Sequence, residues 1–228
     1  MEGYITLEKV TKVYTQGNYT VEAVRDVSLE IKKGTSVAIV GESGSGKTTL
    51  LHMIGNILLP DNGKMMIQGK SYKFASKKER ADLRNRFFGY VMQGGALIET
   101  ESVFENVRLP LLYSKKKLKK AKQEEKVQQL LKKVGVDCPL RFPVKKLSGG
   151  QRQRVSICRS LVNDAEVILA DEPTGELDSG NSQKIFELLK DLTVNGKTLI
   201  MVTHNEQLAA QCDRVIRMKD GLVIKESL

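Results

Sequence analysis

The sequence is poor in cysteine and contains no long hydrophobic run. Its three cysteines, Cys138, Cys158 and Cys212, are odd in number and lack metal-ligand spacing, which argues against a disulfide framework and favours a reduced cytosolic compartment. The longest apolar runs, such as residues 198–202, have the length of a strand, whereas a membrane span requires about 20 residues. We therefore expect no transmembrane segment. Residues 1–4 lack the basic-then-apolar order of a signal peptide, so none is expected there.

Acidic residues are also in deficit. The 37 Lys and Arg residues against 27 Asp and Glu residues give a net charge of +10, and six of the lysines fall within residues 115–122. Such a patch suits a solvated helix start, an anionic membrane surface or a nucleic acid. Glu124, Glu125 and Lys126 follow with helical spacing, which favours the solvated helix start, but all three alternatives stay open.

Strands and helices alternate along most of the chain, which favours a parallel α/β core. The first two strands are separated by Gly17-Asn18, and the charged helices between Phe74 and Val144 are expected to form an inserted helical lobe. The pattern predicts strands at residues 4–14, 21–31, 36–40, 166–170 and 198–202, and a hairpin over 214–225 turned at Asp220-Gly221. It predicts helices at residues 47–54, 77–86, 114–134, 149–161 and 179–192, with a glycine-containing break over 93–101.

Residues 41–48, GESGSGKT, satisfy the pattern G-x-x-x-x-G-K-[ST] between a predicted strand and a predicted helix. The glycine amides of such a loop wrap phosphates, and Lys47 would neutralise the β- and γ-phosphates. The Thr48 hydroxyl would bind Mg²⁺. Because the strand–loop–helix context is present, a chance glycine-rich turn is a poor alternative. The sequence therefore predicts a nucleotide phosphate site.

Two carboxylates end the predicted strand at residues 166–170. Ligands gather at the carboxyl ends of parallel strands, so Asp171 and Glu172 are expected to face the glycine-rich loop. Asp171 would hold Mg²⁺, and Glu172 would orient and deprotonate the attacking water. His204 follows a strand predicted to neighbour the one that ends at Asp171, which brings the imidazole within reach of a γ-phosphate.

A second candidate phosphate site stands at the predicted helix start after Ser148. Gly149 and Gly150 leave amides without an intrahelical partner there, and the positive end of the helix dipole adds to the attraction for an anion. Because the loop at residues 41–48 is expected to bind the phosphates of one nucleotide, this second site raises the question of which other phosphate it binds.

Together, these motifs resemble the nucleotide-binding subunit of an ATP-binding cassette (ABC) transporter, over residues 4–225. The order of the motifs carries the resemblance. The glycine-rich loop at residues 41–48 matches the P-loop, residues 147–151 (LSGGQ) match the signature motif, and Asp171-Glu172 end the Walker B strand. In this resemblance, Tyr14 matches the A-loop, Gln93 the Q-loop, Asp178 the D-loop and His204 the switch histidine.

The resemblance implies an α/β fold, the P-loop NTPase of ABC ATPase type. This fold has a parallel-sheet core, an N-terminal antiparallel β subdomain and an inserted α-helical subdomain. Residues 1–228 would form one ABC ATPase domain. The RecA-like core with its β subdomain would occupy about residues 1–73 and 162–228, and the helical subdomain, with the Q-loop and the signature motif, about residues 74–161.

The resemblance also implies ATP and Mg²⁺ as cofactors and assigns site residues. Catalytic roles fall on Lys47, Gln93, Glu172 and His204. Contacts to the metal ion fall on Thr48, Gln93 and Asp171. Nucleotide contacts fall on Tyr14, Gly41, Ser43, Gly44, Ser45, Gly46, Lys47, Thr48, Thr49, Ser148, Gly149, Gly150, Gln151 and Asp178.

Within the family, three stretches resemble the group that contains the macrolide-exporter and lipoprotein-release ATPases and the cell-division ATPase that pairs with a membrane subunit. These are residues 105–113 (ENVRLPLLY), residues 172–175 (EPTG) and Asp178-Ser179. Two stretches depart from the group: residues 93–96 lack the aromatic residues expected after the Q-loop glutamine, and residues 98–101 are unusually acidic. This region docks the coupling helix of the membrane subunit in the family, so the docking surface is expected to differ.

Members of the family sandwich two ATP molecules between two cassettes, each of which closes on the nucleotide of the other in a two-fold arrangement. The resemblance therefore implies a head-to-tail dimer with a second copy or a paralogue, in which Ser148, Gly150 and Gln151 contact the partner's γ-phosphate. An integral membrane permease would supply the translocation path, and the chain would lie at the cytoplasmic face of the membrane. The expected work is efflux of an antimicrobial peptide, a drug or a lipid-linked substrate.

Two other functions compete with transport. The ATPase could drive a membrane complex that signals or remodels the cell wall, and the sequence alone does not separate this from export. A DNA-associated ABC ATPase is less favoured, because such chains usually carry long coiled coils or zinc modules between the P-loop and the signature motif, and this interval is short and has neither. No nucleic-acid partner is therefore expected.

Overall fold

The computed structural model describes residues 3–17 and 19–227, so Asn18 of the predicted turn at Gly17-Asn18 lies outside the described residues. The strands are β1 Ile5–Gln16, β2 Tyr19–Ile31, β3 Ser36–Val40, β4 Asn62–Ile67, β5 Lys70–Ser71, β6 Phe88–Val91, β7 Val167–Asp171, β8 Thr198–Val202, β9 Arg214–Lys219 and β10 Leu222–Ser227. The helices are α1 Lys47–Ile54, α2 Lys77–Phe87, α3 Val103–Tyr113, α4 Lys120–Lys133, α5 Gly149–Leu161, α6 Ser179–Val194 and α7 Glu206–Ala209, with 3₁₀ turns at Gln93–Gly95 and Val144–Lys146. None of the described helices is long and apolar enough to cross a membrane.

A six-stranded sheet forms the centre of the molecule, in the order β10-β9-β3-β8-β7-β6. The strands from β9 to β6 pair in parallel, and β10 is antiparallel to β9. This arrangement confirms the predicted parallel core and the predicted hairpin at the end of the chain. A second, antiparallel sheet of order β2-β1-β4-β5 confirms the predicted antiparallel β unit near the N-terminus.

Helices cover both faces of the six-stranded sheet. Successive residues of a strand point to opposite faces. In β7, Ile168 lies in one hydrophobic core with residues of α3 to α6, whereas Leu169 lies in the other core with residues of α1 and α2. Strand β8 alternates in the same way, because Leu199 belongs to the first core and Ile200 to the second. Burial on both faces explains why these strands are continuously apolar.

The sequence pattern did not predict helices α3 and α7 or strands β4, β5 and β6. Pro110 lies inside α3 and lacks a backbone donor, but the helix is held by an N-cap, in which the amide of Glu105 donates to the Ser102 hydroxyl at 3.2 Å, and by a buried face that includes Val107. The prediction of a helix over residues 114–134 was wrong at its start, because α4 begins only at Lys120.

Strand β6 lies within residues 74–161, the range predicted for the helical subdomain. It pairs in parallel with β7 at the edge of the six-stranded sheet, and Leu83 and Phe87 of the preceding helix α2 join the core shared with α1. The proposed division of the chain into subdomains therefore stays a prediction, with α2 and β6 packed on the central sheet.

Candidate active site

The predicted chemical motifs follow four neighbouring strands. In the order β3-β8-β7-β6, the strands are followed by the P-loop, His204, Glu172 and Gln93. The carboxyl ends of parallel strands meet at one edge of a sheet, so segments that are far apart in sequence converge there. The strand order thus brings together the residues that the sequence predicted to act together.

These residues line one cavity of about 540 Å³. Its lining contains ten of the predicted site residues, together with Ala23 and Val202, which the sequence did not suggest. The predicted residues in the lining are Gly41, Ser43, Gly44, Gly46, Lys47, Thr48, Thr49, Gln93, Glu172 and His204. Ala23 belongs to the antiparallel sheet, so the cavity lies where the two sheets meet.

Two of the P-loop glycines are required by close backbone contacts. Gly46 has φ +96°, and a Cβ atom there would lie 2.0 Å from the carbonyl oxygen of Ala23. Gly41 has φ +150°, and its Cβ would lie 2.2 Å from the carbonyl oxygen of Met218. Only glycine combines this conformation with this approach. The loop therefore folds tightly against β2 and β9 and opens toward the cavity before α1.

The charge and the polar groups of the P-loop fit a phosphate ligand. Lys47 is 9% exposed, and its ammonium group donates to the carbonyl oxygen of Glu42 at 2.7 Å. The hydroxyl of Ser45 is buried and has no hydrogen-bond partner among the described residues. Buried polar groups are almost always paired in folded proteins, so an unpaired hydroxyl in a glycine-rich loop fits a site completed by a ligand.

Thr48 and Asp171 bring two oxygen ligands together at the edge of this cavity. The Thr48 hydroxyl donates to the Asp171 carboxylate across 3.2 Å. Hydroxyl and carboxylate oxygens are the ligands that Mg²⁺ prefers, and Mg²⁺ is usually held by one or two protein groups plus substrate phosphates. No group of three or more His, Cys, Asp or Glu residues within the described ranges could hold a metal alone. The pair therefore fits Mg²⁺ only together with a bound nucleotide.

Glu172 and His204, which also line the cavity, form a hydrogen-bonded pair. Glu172 has φ +45°, unusual for a residue with a side chain, and its amide donates to the carbonyl of Val202 at 3.0 Å. Its Oε2 lies 2.9 Å from His204 Nδ1 and accepts from the His204 amide at 3.4 Å. The carboxylate is thus held in position by the segment after β8, the arrangement required of a group that must receive a proton from water.

The signature motif lies outside the cavity and begins helix α5. Ser148 and Gln151 form a capping box: the Gln151 amide donates to the Ser148 hydroxyl at 3.3 Å, and the Ser148 amide donates to Gln151 Oε1 at 3.0 Å. Among the described residues, no protein group accepts a hydrogen bond from the amides of Gly149 or Gly150. The predicted anion-binding helix start is therefore present, but the cavity of the same chain does not include it.

Besides Ser45 and Asp171, two further predicted residues, Tyr14 and Asp178, are absent from the cavity lining. Tyr14 pairs with Val21 in the antiparallel sheet, and its ring is 44% exposed. Asp178 is the N-cap of α6, where its carboxylate accepts from the Asn181 amide at 2.9 Å; this backbone hydrogen bond lowers the pKa of Asp178. The nucleotide-binding roles of both residues stay predictions.

Sequence reasoning missed the residues that join α5 to the Q-loop segment. Arg159 donates to the carbonyls of Gly95 and Ala96, both at 2.9 Å, and Gln153 donates to the carbonyl of Met92 at 3.3 Å. A motif match cannot reveal these bonds, because their acceptors are backbone carbonyls. They make the signature helix and the Q-loop one connected unit.

The glycine-rich phosphate loop, the strand-end carboxylates and the capped helix start outside the cavity define a P-loop NTPase of cassette type. The model of the ABC transporter family matches residues 24–175 of this chain. The chain is 44% identical, over 98% of its length, to the macrolide export ATP-binding/permease protein MacB of Hyphomonas neptunium and 42% identical to that of Pasteurella multocida. It spans 34% of the length of these relatives. An ABC transporter ATP-binding protein of Thermotoga maritima is 41% identical, with 98% of this chain and 94% of that protein covered.

Solved structures give the same result. The ATP-binding cassette MJ0796, a dimer bound to ADP and Pi in a post-hydrolysis state, matches with a TM-score of 0.91 and 37% identity, over 98% of this chain and 97% of that chain. The protein CbiO1 of Clostridium perfringens matches with a TM-score of 0.86 and 30% identity, over 100% and 89% of the two chains. The chain belongs to the ABC transporter family and is an ATPase cassette of that family. The predicted fold and the predicted likeness to the macrolide-exporter group are confirmed.

Proposed function

We propose that this chain is the ATP-hydrolysing subunit that drives a membrane permease of the macrolide-exporter type. One observation carries the proposal: the P-loop and the Glu172–His204 pair share a cavity, while the free amides of the signature helix lie outside it. An active site divided in this way is complete only when a second cassette presents its signature motif. The dimeric state of the related cassette MJ0796 supports this arrangement.

The residues of the cavity divide the work of hydrolysis. The P-loop amides bind and orient the phosphates, and Lys47 exchanges its contact with the Glu42 carbonyl for the β- and γ-phosphates. Thr48 and Asp171 would hold Mg²⁺, which supplies positive charge to the leaving phosphates. Glu172 accepts a proton from the attacking water.

The signature motif makes ATP the link between the two chains. The amides of Gly149 and Gly150 bind the γ-phosphate of the nucleotide held by the partner, so the closed dimer is stable only with the triphosphate. Hydrolysis removes this link and the dimer opens. Since Arg159 ties the signature helix to the segment after Gln93, opening also moves the Q-loop, and this movement is what the permease senses.

A groove beside the Q-loop segment is the proposed contact for the permease. This permease groove has a volume of about 650 Å³, and its lining is mainly apolar, from α2, α3 and β6 and from Ile57 and Ile98 in the connections. Ile57, Ile98 and Tyr113 stand at its edge with 42%, 44% and 74% exposure. The groove borders Arg159, so a permease helix seated there contacts the unit that moves on hydrolysis. The cytoplasmic face of the membrane is the corresponding location, and export follows from the names of the macrolide-export relatives.

The variant Glu172→Gln tests this function. The amide keeps the size of the carboxylate and one acceptor oxygen but cannot accept a proton, so the rate of ATP hydrolysis should fall by about 10²- to 10⁴-fold. ATP binding should persist, and with ATP and Mg²⁺ the variant should accumulate as a dimer, measured by size-exclusion chromatography with light scattering. Glu187→Gln, an exposed acid on α6, is the matched control and should leave turnover unchanged.

Each alternative result has a definite meaning. A Glu172→Gln chain that binds ATP and stays monomeric at saturating nucleotide would contradict the divided active site. Unchanged turnover would show that another group accepts the proton.

A further inference from the structure

The excess positive charge of the chain is concentrated in two short segments. Residues 70–86 contain seven basic and two acidic residues, and residues 113–122 contain six basic and no acidic residues, so together they carry a formal charge of +11. The whole chain carries +10, from 37 basic and 27 acidic residues. The remaining residues are therefore close to neutral, with a net charge of −1. Such concentration is not needed for solubility, which an even distribution of charge would provide equally.

The fold brings the two segments to one surface, which we call the basic face (residues 70–86 and 113–122). Both segments line a single depression of about 710 Å³ between the β5–α2 connection and the end of α3. Lys70 and Arg86 line it from one segment, and Lys115 and Lys116 from the other. Since the segments are more than 25 positions apart in sequence, tertiary packing and not a local run creates this surface.

The two acidic side chains of the basic face are already engaged within the chain. Glu79 accepts from the amide and the hydroxyl of Ser76 at 2.8 and 2.7 Å, in the capping box of α2. Asp82 pairs with Lys115 at 2.7 Å. Among the described residues, no carboxylate forms an ion pair with the other lysines of the face: Lys70, Lys73, Lys77, Lys78, Lys116, Lys117, Lys119, Lys120 and Lys122. Their charge is available to an external anion.

Two aromatic rings stand out from the same surface. Phe74 is 94% exposed and Tyr113 is 74% exposed, and both line the depression. Covering these two rings would remove apolar surface from water, which is favourable. Lysines around exposed aromatic rings are the pattern of protein surfaces that lie at a membrane interface, where rings enter the headgroup region and ammonium groups contact anionic lipids.

The basic face continues into the permease groove. Asn85, Tyr113 and Asn163 line both depressions, so the two surfaces share one wall. We propose that the basic face, residues 70–86 and 113–122, binds the anionic surface of the lipid bilayer beside the permease. This inference rests on the proposed function, because a chain whose groove holds a permease has that side turned toward the membrane.

A lipid surface fits the observations better than a nucleic acid or an acidic protein segment. The free cations are almost all lysines, which lie from β5 to the first turn of α2, on the α3–α4 loop and at the start of α4, and the exposed rings of Phe74 and Tyr113 line the same depression. A broad layer of anionic headgroups accommodates dispersed lysines together with inserted aromatic side chains. Contact with the bilayer would hold the cassette close to its permease while the dimer opens.

The test is sedimentation of the chain with vesicles of phosphatidylcholine, with and without phosphatidylglycerol. The unmodified chain should bind the anionic vesicles, and binding should weaken with salt. Each lysine at the surface contributes about a five-fold change in the partition coefficient. If each of the four lysines contributes in this way, the variant with Lys116, Lys119, Lys120 and Lys122 all replaced by Gln should bind about two to three orders of magnitude more weakly. Phe74→Ser should also weaken binding without any change in charge.

The matched control replaces four exposed lysines elsewhere, Lys132, Lys133, Lys184 and Lys225, by Gln. Because it removes the same net charge, its binding to anionic vesicles should stay near that of the unmodified chain. Equal losses in the two quadruple variants would overturn the proposal, as would a chain that binds soluble polyglutamate or duplex DNA but no vesicles.

ATP hydrolysis, measured on the same preparations, separates this proposal from the proposed function. The basic-face variant should hydrolyse ATP at the unmodified rate in the absence of vesicles. Normal turnover of the unmodified chain without vesicle binding would overturn the membrane contact and leave the ATPase function standing.

Discussion

Replacing Gly46 by alanine should damage the phosphate loop much more than the same replacement at Gly44, although the two glycines are two positions apart. Both have a left-handed backbone, with φ +96° at Gly46 and φ +80° at Gly44. A residue with a side chain costs about 1–2 kcal/mol in that conformation. Both variants carry this conformational cost, so the difference between them measures the steric cost of the added Cβ.

The space around the two positions differs sharply. At Gly44, an added Cβ meets no atom within 4 Å, so only the conformational cost applies. At Gly46, the Cβ would lie 2.0 Å from the carbonyl oxygen of Ala23 and 3.3 Å from Cε of Met218. Ala23 belongs to β2 and cannot shift without disturbing the sheet, so overpacking adds about 1–3 kcal/mol. The expected total is about 2–5 kcal/mol for Gly46→Ala and about 1–2 kcal/mol for Gly44→Ala.

Urea unfolding and titration with a fluorescent ATP analogue, both on the isolated chain, measure this difference. The cost lowers the free energy of unfolding if the loop keeps its conformation, and it lowers the affinity for ATP if the loop moves away from Ala23. A Gly46→Ala chain with unchanged ATP affinity and no greater loss of stability than Gly44→Ala would refute the reasoning.

Three further outcomes are expected. Arg159→Met should lower the free energy of unfolding by about 2–3 kcal/mol, because the carbonyls after the Q-loop lose a charged donor; Arg152→Met, which breaks an exposed ion pair, should cost less than about 1 kcal/mol. Burial alone would raise the pKa of Asp213, but the hydrogen bonds from the Ser36 amide and hydroxyl lower it by more, so the pKa lies below its ordinary value of 3.8. Its stabilisation is present above that value and is lost as the pH falls through the folded pKa, so Asp213→Asn should flatten the acid side of a stability–pH curve. Ser148→Arg should abolish turnover and leave ATP binding to the isolated chain intact in an equilibrium titration; loss of that binding would show that the signature motif serves its own chain.

Much of the local structure could be predicted because it depends on neighbouring residues. The strands at 36–40 and 198–202 and the helices at 47–54 and 149–161 occur at the predicted positions. Each combines an apolar period with a boundary signal, such as the Ser148–Gln151 capping box.

The errors arose where a distant contact overrides a local signal. Helix α3 contains Pro110, which lacks a backbone donor, yet its buried face against α5 keeps it helical. Strand β6 is only four residues long and exists because β7 provides a pairing edge. Neither partner can be recognised from residues 88–113 alone.

The sequence by itself determined the chemistry available to this protein, because a P-loop, a strand-end carboxylate pair and a capped helix start are local patterns with local physical causes. Only the tertiary structure decided which of these groups meet. The strand order β3-β8-β7-β6 brings Glu172, His204 and Gln93 to the P-loop and leaves the signature motif outside. The packing of the end of α3 beside the β5–α2 connection gathers the positive charge on one face. Strand order depends on pairing and burial between segments far apart in the chain, which no local pattern records.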